Sequence, residues 1–568
     1  MSTRPGRAVA VYLCHCGQNI AATVDVEAVA RALEGRAGVA LVRHYPYLCS
    51  RPGQDLIRQD LEAGRADRVV VAACSPRMHE ATFQRAVSDA GRNPYLLRHV
   101  NVREQCAWVH PDRREATAKA LDLVIMGIER VLRQAPLHGA EAPVVPRALV
   151  LGAGPAGLAA AGTLAGAGIA VVLVERSGRL GGRALDLGRA FPGGGEVGPW
   201  LRERVAAVEA DPRVEVLTGA TLASLEGSPG RFRAGIRAGT REVAREVGTV
   251  IAATGYDLYR PDDPAQGRPE LAYGEDPRVI TQAELEQRLR AGPALPPQAA
   301  VVFLQCVGSR DRTAGASHCS RVCCMVSVRQ ARELRSRSPG AEVHVLYMDL
   351  RAYARGAEED YEAAAREGVL FRRGSASEVY RRGGRLAVRF EDTLLGEARE
   401  LAADLVVLAC GARPRTDAAD VARILGLARS PDGFFLEAHP KLRPVDTAST
   451  GLFLAGACLG PRTLDEAVAS GRAAAARALG MLLPGRMAVS PVVAEIDPDR
   501  CSGCGLCEAA CPAGAIRPAA HLAVRTVDPG MCRGCGACGA VCPSKAVVLR
   551  HFSPGQVLGE VHAACTGP

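Results

Sequence analysis

Eight cysteines near the carboxyl terminus repeat one spacing: Cys501, Cys504, Cys507 and Cys511-Pro512, then Cys532, Cys535, Cys538 and Cys542-Pro543. Each run is C-x2-C-x2-C-x3-C-P. Three closely spaced thiolates of such a run wrap one [4Fe-4S] cluster, and the fourth crosses to the neighbouring cluster. The pattern assigns Cys501, Cys504, Cys507 and Cys542 to one centre, and Cys532, Cys535, Cys538 and Cys511 to the other. A structural zinc site is the competing reading, but tetrahedral zinc needs no duplicated run with a crossing ligand. The chemistry is electron transfer, with no direction specified.

A second pattern, Gly152-x-Gly154-x-x-Gly157, follows the strand-like ALVL. Gly152 permits the tight turn, Gly154 lets backbone approach a pyrophosphate, and Gly157 lets the next helix pack on the strand. The helix amino terminus adds free N–H groups and positive dipole density. Glu175 ends VVLVE, where a carboxylate reaches the ribose hydroxyls of a dinucleotide. A purely structural glycine turn is the alternative. Gly181 and Gly182 allow a further close approach, and ATGYD (253–257) and GLFLAGA (451–457, with Gly456 and Ala457) are similar to the returning segments of two-dinucleotide flavoproteins. These features favour FAD over NAD. At the expected second site, VVFLQC runs into Cys306-Val307-Gly308-Ser309-Arg310 in place of G-x-G-x-x-G, which argues against direct use of NAD(P)H.

That same turn opens a third constellation, Cys306, Cys319, Cys323 and Cys324. Four cysteines in so short a stretch can surround one cluster, with Arg310 or Arg321 offsetting its charge and raising its potential. The adjacent pair Cys323 and Cys324 would need unusual loop geometry, and a redox thiol pair or inert cysteines are the alternatives. A fourth set has five candidates for one four-ligand cluster: Cys14, Cys16, Cys49, Cys74 and Cys106. Cys14 and Cys16 would point to opposite faces of a continuous strand, so joint ligation requires a turn after Cys14. A disulfide, zinc or mixed role stays open, and His15, His44, His79 and His110 carry no assignment. Cys410 and Cys458 read as small packing groups, with a flavin-adjacent role as the alternative.

The elements that must position these residues follow from periodicity. Residues 1–133 alternate strand-like runs (AVAVYL, GVALVRH, DRVVVAA) with helical stretches, one starting near Arg113, and read as an α/β iron-sulfur domain. Residues 134–147 carry several prolines and no period, and read as a linker. Residues 148–300 form the first part of a dinucleotide domain with a small strand-rich section near 211–255. Residues 301–410 form a second Rossmann-like part with the cysteine insertion. The chain then returns through ADLVVLACGARP and TGLFLAGACLG to complete the first half, with 411–494 as returning segment and linker. Residues 495–550 are the two-cluster ferredoxin domain, and 551–568 an unassigned tail.

The 568 residues are 48% hydrophobic and 23% charged, enough for several cores and unlike a disordered or fibrous chain. Twenty cysteines without an evident export signal read as metal thiolates in a cytoplasmic protein, not as a disulfide framework. No apolar run reaches the ~18 residues of a membrane span. Four clusters, each a 2+ core on four thiolates, take the formal charge from +9 to about +1. With only three lysines and scattered arginines, the case for nucleic acid lapses.

On these residues the chain resembles the A-type subunit of the heterodisulfide reductase family, including its bacterial relatives. The resemblance is carried by CHCGQNI (14–20), CSPRMHE (74–80), NVREQCAWVH (101–110), LQCVGSRD (304–311), HCSRVCCM (318–325), YMDLRAY (347–353), HPKLRPVDT (439–447) and the ferredoxin repeats. It covers nearly the full chain. It implies an α/β protein with a thioredoxin-reductase-like FAD core, an amino-terminal iron-sulfur domain and a carboxy-terminal ferredoxin domain, and supports a cluster on Cys306, Cys319, Cys323 and Cys324. Some longer relatives carry a further two-cluster insertion in the flavin domain. The 211–300 segment here has no cysteine, so four [4Fe-4S] clusters are expected instead of six. At Ala457-Cys458 the Asp that many related flavoproteins place near the ribityl chain is missing.

The resemblance further implies a subunit in which FAD takes an electron pair and clusters carry single electrons, by flavin-based bifurcation between partner subunits. Those partners would be other heterodisulfide-reductase-like subunits and a hydrogenase, formate dehydrogenase or NADH-oxidising module, with homo-oligomerisation left open. Linear transfer to a quinone-linked or other acceptor, and a noncatalytic role as electron wire or assembly component, are the competing readings. Heterodisulfide cleavage itself belongs to another subunit of the resembling complexes.

Overall fold

A computed structural model describes residues 8–191, 194–265, 267–292, 295–312, 314–521 and 523–566. The first residues read for an export signal lie outside that set. The chain divides into two compact units, Met1–Glu141 with Ala488–Pro568, and Ala142–Met487.

In the first unit, Val9–Cys14, Val39–Tyr45, Arg68–Ala73 and Leu97–Asn101 form a parallel sheet, with Val9–Cys14 flanked by the second and third strands. The first and third strands are buried along their whole length, as the uninterrupted runs VAVYLC and RVVVAA require of strands covered on both faces. The helix expected near Arg113 spans Arg113–Leu132 and is capped by Asp112, whose carboxylate accepts from the Glu115 N–H at 2.8 Å. Parallel order puts the carboxyl ends of these strands, and the loops after them, on one edge.

The ferredoxin segment pairs Ala494–Ile496 with Val547–Leu549 and Ile516–Pro518 with Arg525–Val527, both antiparallel. The tail, to which the sequence gives no role, is a helix, Pro554–Thr566, packed on Arg113–Leu132. Its Glu560 accepts from Arg130 at 2.5 Å and pairs with Arg98 at 3.2 Å, while Arg130 also donates to the His551 carbonyl and lies 4.3 Å from the Phe552 ring. The Arg130 side chain is 4% exposed, so this cation is almost dry.

The second unit holds two parallel five-stranded sheets. In the first, Leu452–Leu454, Thr249–Ala252, Arg147–Leu151, Ala170–Val174 and Val214–Leu217 lie in that order. In the second the order is Val279–Thr281, Leu405–Cys410, Ala300–Val307, Glu342–Tyr347 and Val369–Arg373. The strand-rich section near 211–255 includes a three-stranded antiparallel sheet, Ala220–Ser228, Arg231–Ala238 and Arg241–Val247. A second such sheet, not expected from the sequence, is formed by Ala376–Arg382, Arg385–Asp392 and Glu397–Ala403.

Two readings of the chain path need correction. ADLVVLAC does not return to the first sheet, because Leu405–Cys410 pairs with Ala300–Val307 inside the second. Residues 279–291, grouped with the first part, also belong there: Val279–Thr281 pairs with Leu405–Cys410, and Leu285 and Leu289 share a core with Val301 and Phe303. Only TGLFLAGACLG returns, through Leu452–Leu454 beside Thr249–Ala252.

Among the described residues no helix is long and apolar enough to cross a membrane. Replacing Glu560 with Leu leaves Arg130 buried without its anion, a loss of about 3–5 kcal/mol for a broken buried pair. We expect a lower thermal midpoint and faster proteolytic release of the helix Pro554–Thr566; an unchanged midpoint and cleavage pattern would show that the pair does not anchor it.

Candidate functional site

In the second unit, the strand Arg147–Leu151 feeds the helix Pro155–Gly166 through the glycine turn. Gly152 has φ +99°, and a Cβ there would lie 2.4 Å from the Ala253 carbonyl oxygen. A Cβ on Gly157 would lie 1.8 Å from the Gly152 carbonyl oxygen, so helix and turn touch backbone to backbone. A Cβ on Gly154 would meet nothing within 4 Å. That glycine borders a cavity of about 320 Å³ lined also by Glu175, Gly182, Thr254, Ala457 and Thr463. Glu175 accepts from the Ala153 N–H at 2.8 Å and the Ser177 N–H at 2.9 Å, which fixes its carboxylate at the rim with lone pairs to spare. Gly181 has φ +114°, and a Cβ on Gly182 would come within 3.0 Å of the Gly154 Cα. Gly456 is held by its N–H to the Ser470 hydroxyl at 2.7 Å. The turn, the open face at Gly154, the helix amino terminus and the oriented carboxylate fit a dinucleotide. Sequence reasoning missed Arg462 and Thr463, which also face the cavity and had no motif to mark them.

The corresponding turn of the second sheet is built differently. A Cβ on Gly308 would lie 2.1 Å from Cγ of Tyr259, so an aromatic ring packs on the backbone where the first turn is open. Cys306, Cys319, Cys323 and Cys324 gather here, close enough for each of the others to raise the Cys323 pKa. The adjacent pair needs no unusual loop: both open the helix Cys323–Arg337, and the strain sits instead at Cys306 and Arg321, each with φ +61°. The Arg321 N–H donates to Cys319 Sγ at 3.3 Å. Burial pushes the Cys306 thiol up to about 12, whereas the hydrogen bond from Cys323 pulls Cys324 down to about 7 and holds Cys323 well above the usual range. Buried thiolates need a nearby cation, which an iron cluster supplies. This loop reaches the wall of the dinucleotide cavity: Arg321 donates to the Pro461 carbonyl at 3.0 Å and to Glu466 at 2.8 Å, in the stretch containing Arg462, Thr463 and Leu464. Arg310, the other candidate counter-charge, lowers the Cys306 pKa and pairs with Asp349 at 2.8 Å.

In the first unit, Cys14, Cys16, Cys49 and Cys74 follow or end three neighbouring parallel strands. The required turn is present, since the strand stops at Cys14 and Cys16 has φ +49°. Cys16 and Cys49 raise the Cys14 pKa, and Cys16 and Cys14 raise that of Cys74, which burial drives up to about 12. Arg103, within the NVREQCAWVH stretch but given no role there, donates to Cys16 Sγ at 3.4 Å. Cys106 stands apart from these four: fully buried, it donates to the Ala116 carbonyl at 3.2 Å. His15 and His44 contact one another at 3.0 Å.

In the ferredoxin segment, Cys511, Cys532, Cys535 and Cys538 line one small cavity, the second set expected from the crossing pattern. Cys501 and Cys504 lie beside Cys507, and Cys542 contacts the Ser544 hydroxyl at 3.6 Å. Cys504 and Cys535 are exposed. Cys410 and Cys458 are core residues, Cys458 donating to the Ala252 and Ala455 carbonyls. Among the described residues no three Cys, His, Asp or Glu side chains converge tightly enough for one metal ion. The thiols of a four-iron cube stand on separate corners and need no such convergence.

Gly157→Val has no room for its side chain against the Gly152 carbonyl. It should yield protein without bound flavin, read by absorbance after purification, whereas normal flavin content would refute the backbone contact.

The family model for pyridine nucleotide-disulphide oxidoreductases matches residues 146–471, and that for a 4Fe-4S dicluster domain matches residues 494–543. The chain is 38% identical to the A-type iron-sulfur subunit of a CoB–CoM heterodisulfide reductase from Methanopyrus kandleri, over 89% of this chain and 90% of that protein. It is 36% identical to the A-type subunit of the H(2):CoB-CoM heterodisulfide,ferredoxin reductase of Methanothermobacter marburgensis, with the same coverage. Lactococcus lactis thioredoxin reductase is similar over 60% of this chain and 100% of that one, at 19% identity and a TM-score of 0.43. With its two interleaved parallel sheets, its FAD turn and its 4Fe-4S ferredoxin segment, the chain belongs to the oxidoreductase family formed by the A-type subunits of heterodisulfide reductases.

Proposed function

We propose that this subunit distributes electrons from one flavin among four [4Fe-4S] clusters, and that it works by flavin-based bifurcation within a complex. The observation that carries the reading is the tie of the Cys319–Arg321 loop to Pro461 and Glu466, which flank Arg462, Thr463 and Leu464 on the flavin cavity's wall. It sets one cysteine quartet next to the dinucleotide site, at the sheet end where a second dinucleotide would otherwise bind.

Gly152, Gly154 and the amino terminus of the helix Pro155–Gly166 hold the pyrophosphate, and Glu175 orients the ribose. Cys306, Cys319, Cys323 and Cys324 hold one cluster. Cys14, Cys16, Cys49 and Cys74 hold a second, with Cys106 left as a core thiol. The crossing quartets hold the third and fourth. FAD, when bound, supplies the conversion between two-electron and one-electron chemistry, and the clusters carry single electrons. Arg103 and Arg321 each donate an N–H to a cluster sulfur, which favours the reduced, more negative state. Tyr259 against Gly308 keeps a second dinucleotide from the cluster turn.

The M. marburgensis relative is named for hydrogen, a heterodisulfide and ferredoxin, one donor and two acceptors of unlike chemistry. We extend that division to this chain, with a hydrogen-, formate- or NADH-linked donor in partner subunits and a cytoplasmic setting.

Anaerobically isolated protein should hold one FAD and about sixteen iron atoms per chain. Cys106→Ser should keep that iron, and Cys74→Ser should lose about four atoms; equal losses in both would overturn the ligand choice. In the active complex, omitting the higher-potential acceptor should abolish reduction of the low-potential one. Independent reduction of the two acceptors would leave a linear oxidoreductase.

A further inference from the structure

The helix Gln282–Ala291 belongs to the second sheet's half, yet its buried polar groups face two directions. Glu286, 4% exposed, accepts from the Gly188 N–H at 2.9 Å. Gly188 closes the segment 182–188, most of which lines the dinucleotide cavity. The other carboxylate oxygen accepts from Arg329 and from Gln330 at 2.8 Å, both on the cysteine helix Cys323–Arg337. One turn earlier, Gln282 donates to the Cys323 carbonyl at 2.9 Å and the Ser327 hydroxyl at 2.6 Å. Arg290 adds a second tie, donating to the Leu185 carbonyl at 2.9 Å.

We propose that Glu286 is a positioning residue that fixes the flavin-binding segment relative to the Cys306, Cys319, Cys323 and Cys324 centre. The proposal rests on the reading that this quartet holds the cluster next to the flavin. A buried carboxylate with three donors in place is costly to break and tolerates little displacement. It joins the two parallel-sheet halves at the segment that lines the dinucleotide cavity and the helix that carries Cys323 and Cys324. The step it serves moves one electron from reduced flavin, itself charged by the complex's two-electron donor, to a cluster core that falls from 2+ to 1+. Electron passage weakens steeply with separation, so a small loosening of Gly188 from the cysteine helix slows it without removing either centre.

Two variants break the tie in different ways. Glu286→Gln removes the charge that Arg329 and Gln330 share. Gly188→Ala keeps every charge but adds a methyl that would lie 2.7 Å from Glu286 Oε1. The full-length protein, loaded with FAD and iron anaerobically, is photoreduced with deazaflavin, and the redistribution between flavin and cluster absorbance is timed. Hydrogen exchange of the peptide spanning 183–189 is measured alongside. Both variants should retain FAD and iron, lose protection at Gly188, and redistribute electrons about tenfold or more slowly. Wild-type rates and protection in a fully loaded variant would overturn the positioning role. If Glu286→Gln fails to fold, Gly188→Ala alone decides the question. Cofactor-loaded wild-type protein with no redistribution at all would instead bring down the cluster assignment, and this inference with it.

Discussion

A thiol buried among other thiols loses its charge unless a cation compensates it, and this constraint organises the molecule. Cys74 and Cys306 are driven far above their ordinary range by burial, and so is Cys14 in direction. Left alone, such groups are neutral and inert as ligands. Collected in fours, as we propose, they would form a site where an iron cluster's charge offsets their desolvation. The arginine N–H groups on Cys16 and Cys319 act in the same sense: they stabilise sulfur charge from outside the quartet.

Parallel sheets bring two of the cysteine sets together at their carboxyl edges, with left-handed residues in the turns. In the first unit, Cys14 ends its strand, and Cys49 and Cys74 follow theirs, on the edge where carboxyl ends cluster. In the second unit the same edge appears twice and is used for two purposes. One turn keeps Gly154 open beside a cavity; at the other, Tyr259 packs on Gly308 and Cys306 is left-handed. The fold is shared, and the choice between dinucleotide and cysteine cradle is made by a handful of side chains.

Much of this was legible because its chemistry is local. Cluster spacings and the glycine turn are short-range requirements, and the set Cys511, Cys532, Cys535 and Cys538, which lines one cavity, follows from counting residues. What stayed hidden depends on distant pairing. Val279–Thr281 is too short to announce a strand, and only its register with Leu405–Cys410 assigns it to the second sheet. Nothing in the sequence around Cys106 announces that its thiol donates to the Ala116 carbonyl, which sets it apart in the fold from Cys16 and Cys74. Arg321 reads from the sequence as a counter-charge, but neither its backbone N–H on Cys319 Sγ nor the Arg103 guanidinium on Cys16 Sγ can be read from spacing. The tail has little helical amphipathicity of its own, and its order comes from Arg130 and Arg98 on a domain more than four hundred residues earlier in the chain.

The closed second turn also bears on the direction of flow. In a two-dinucleotide architecture the second sheet ordinarily presents a hydride donor to the flavin. Here that sheet presents thiols, and the helix that would have faced a pyrophosphate begins with Cys323 and Cys324. A hydride moves two electrons as one event, whereas a cluster accepts them one at a time. On the proposed reading, a cysteine-lined turn in place of a glycine-rich one therefore changes the electron count of the exchange. Separating a pair into single electrons then becomes a property of which side chains end one strand.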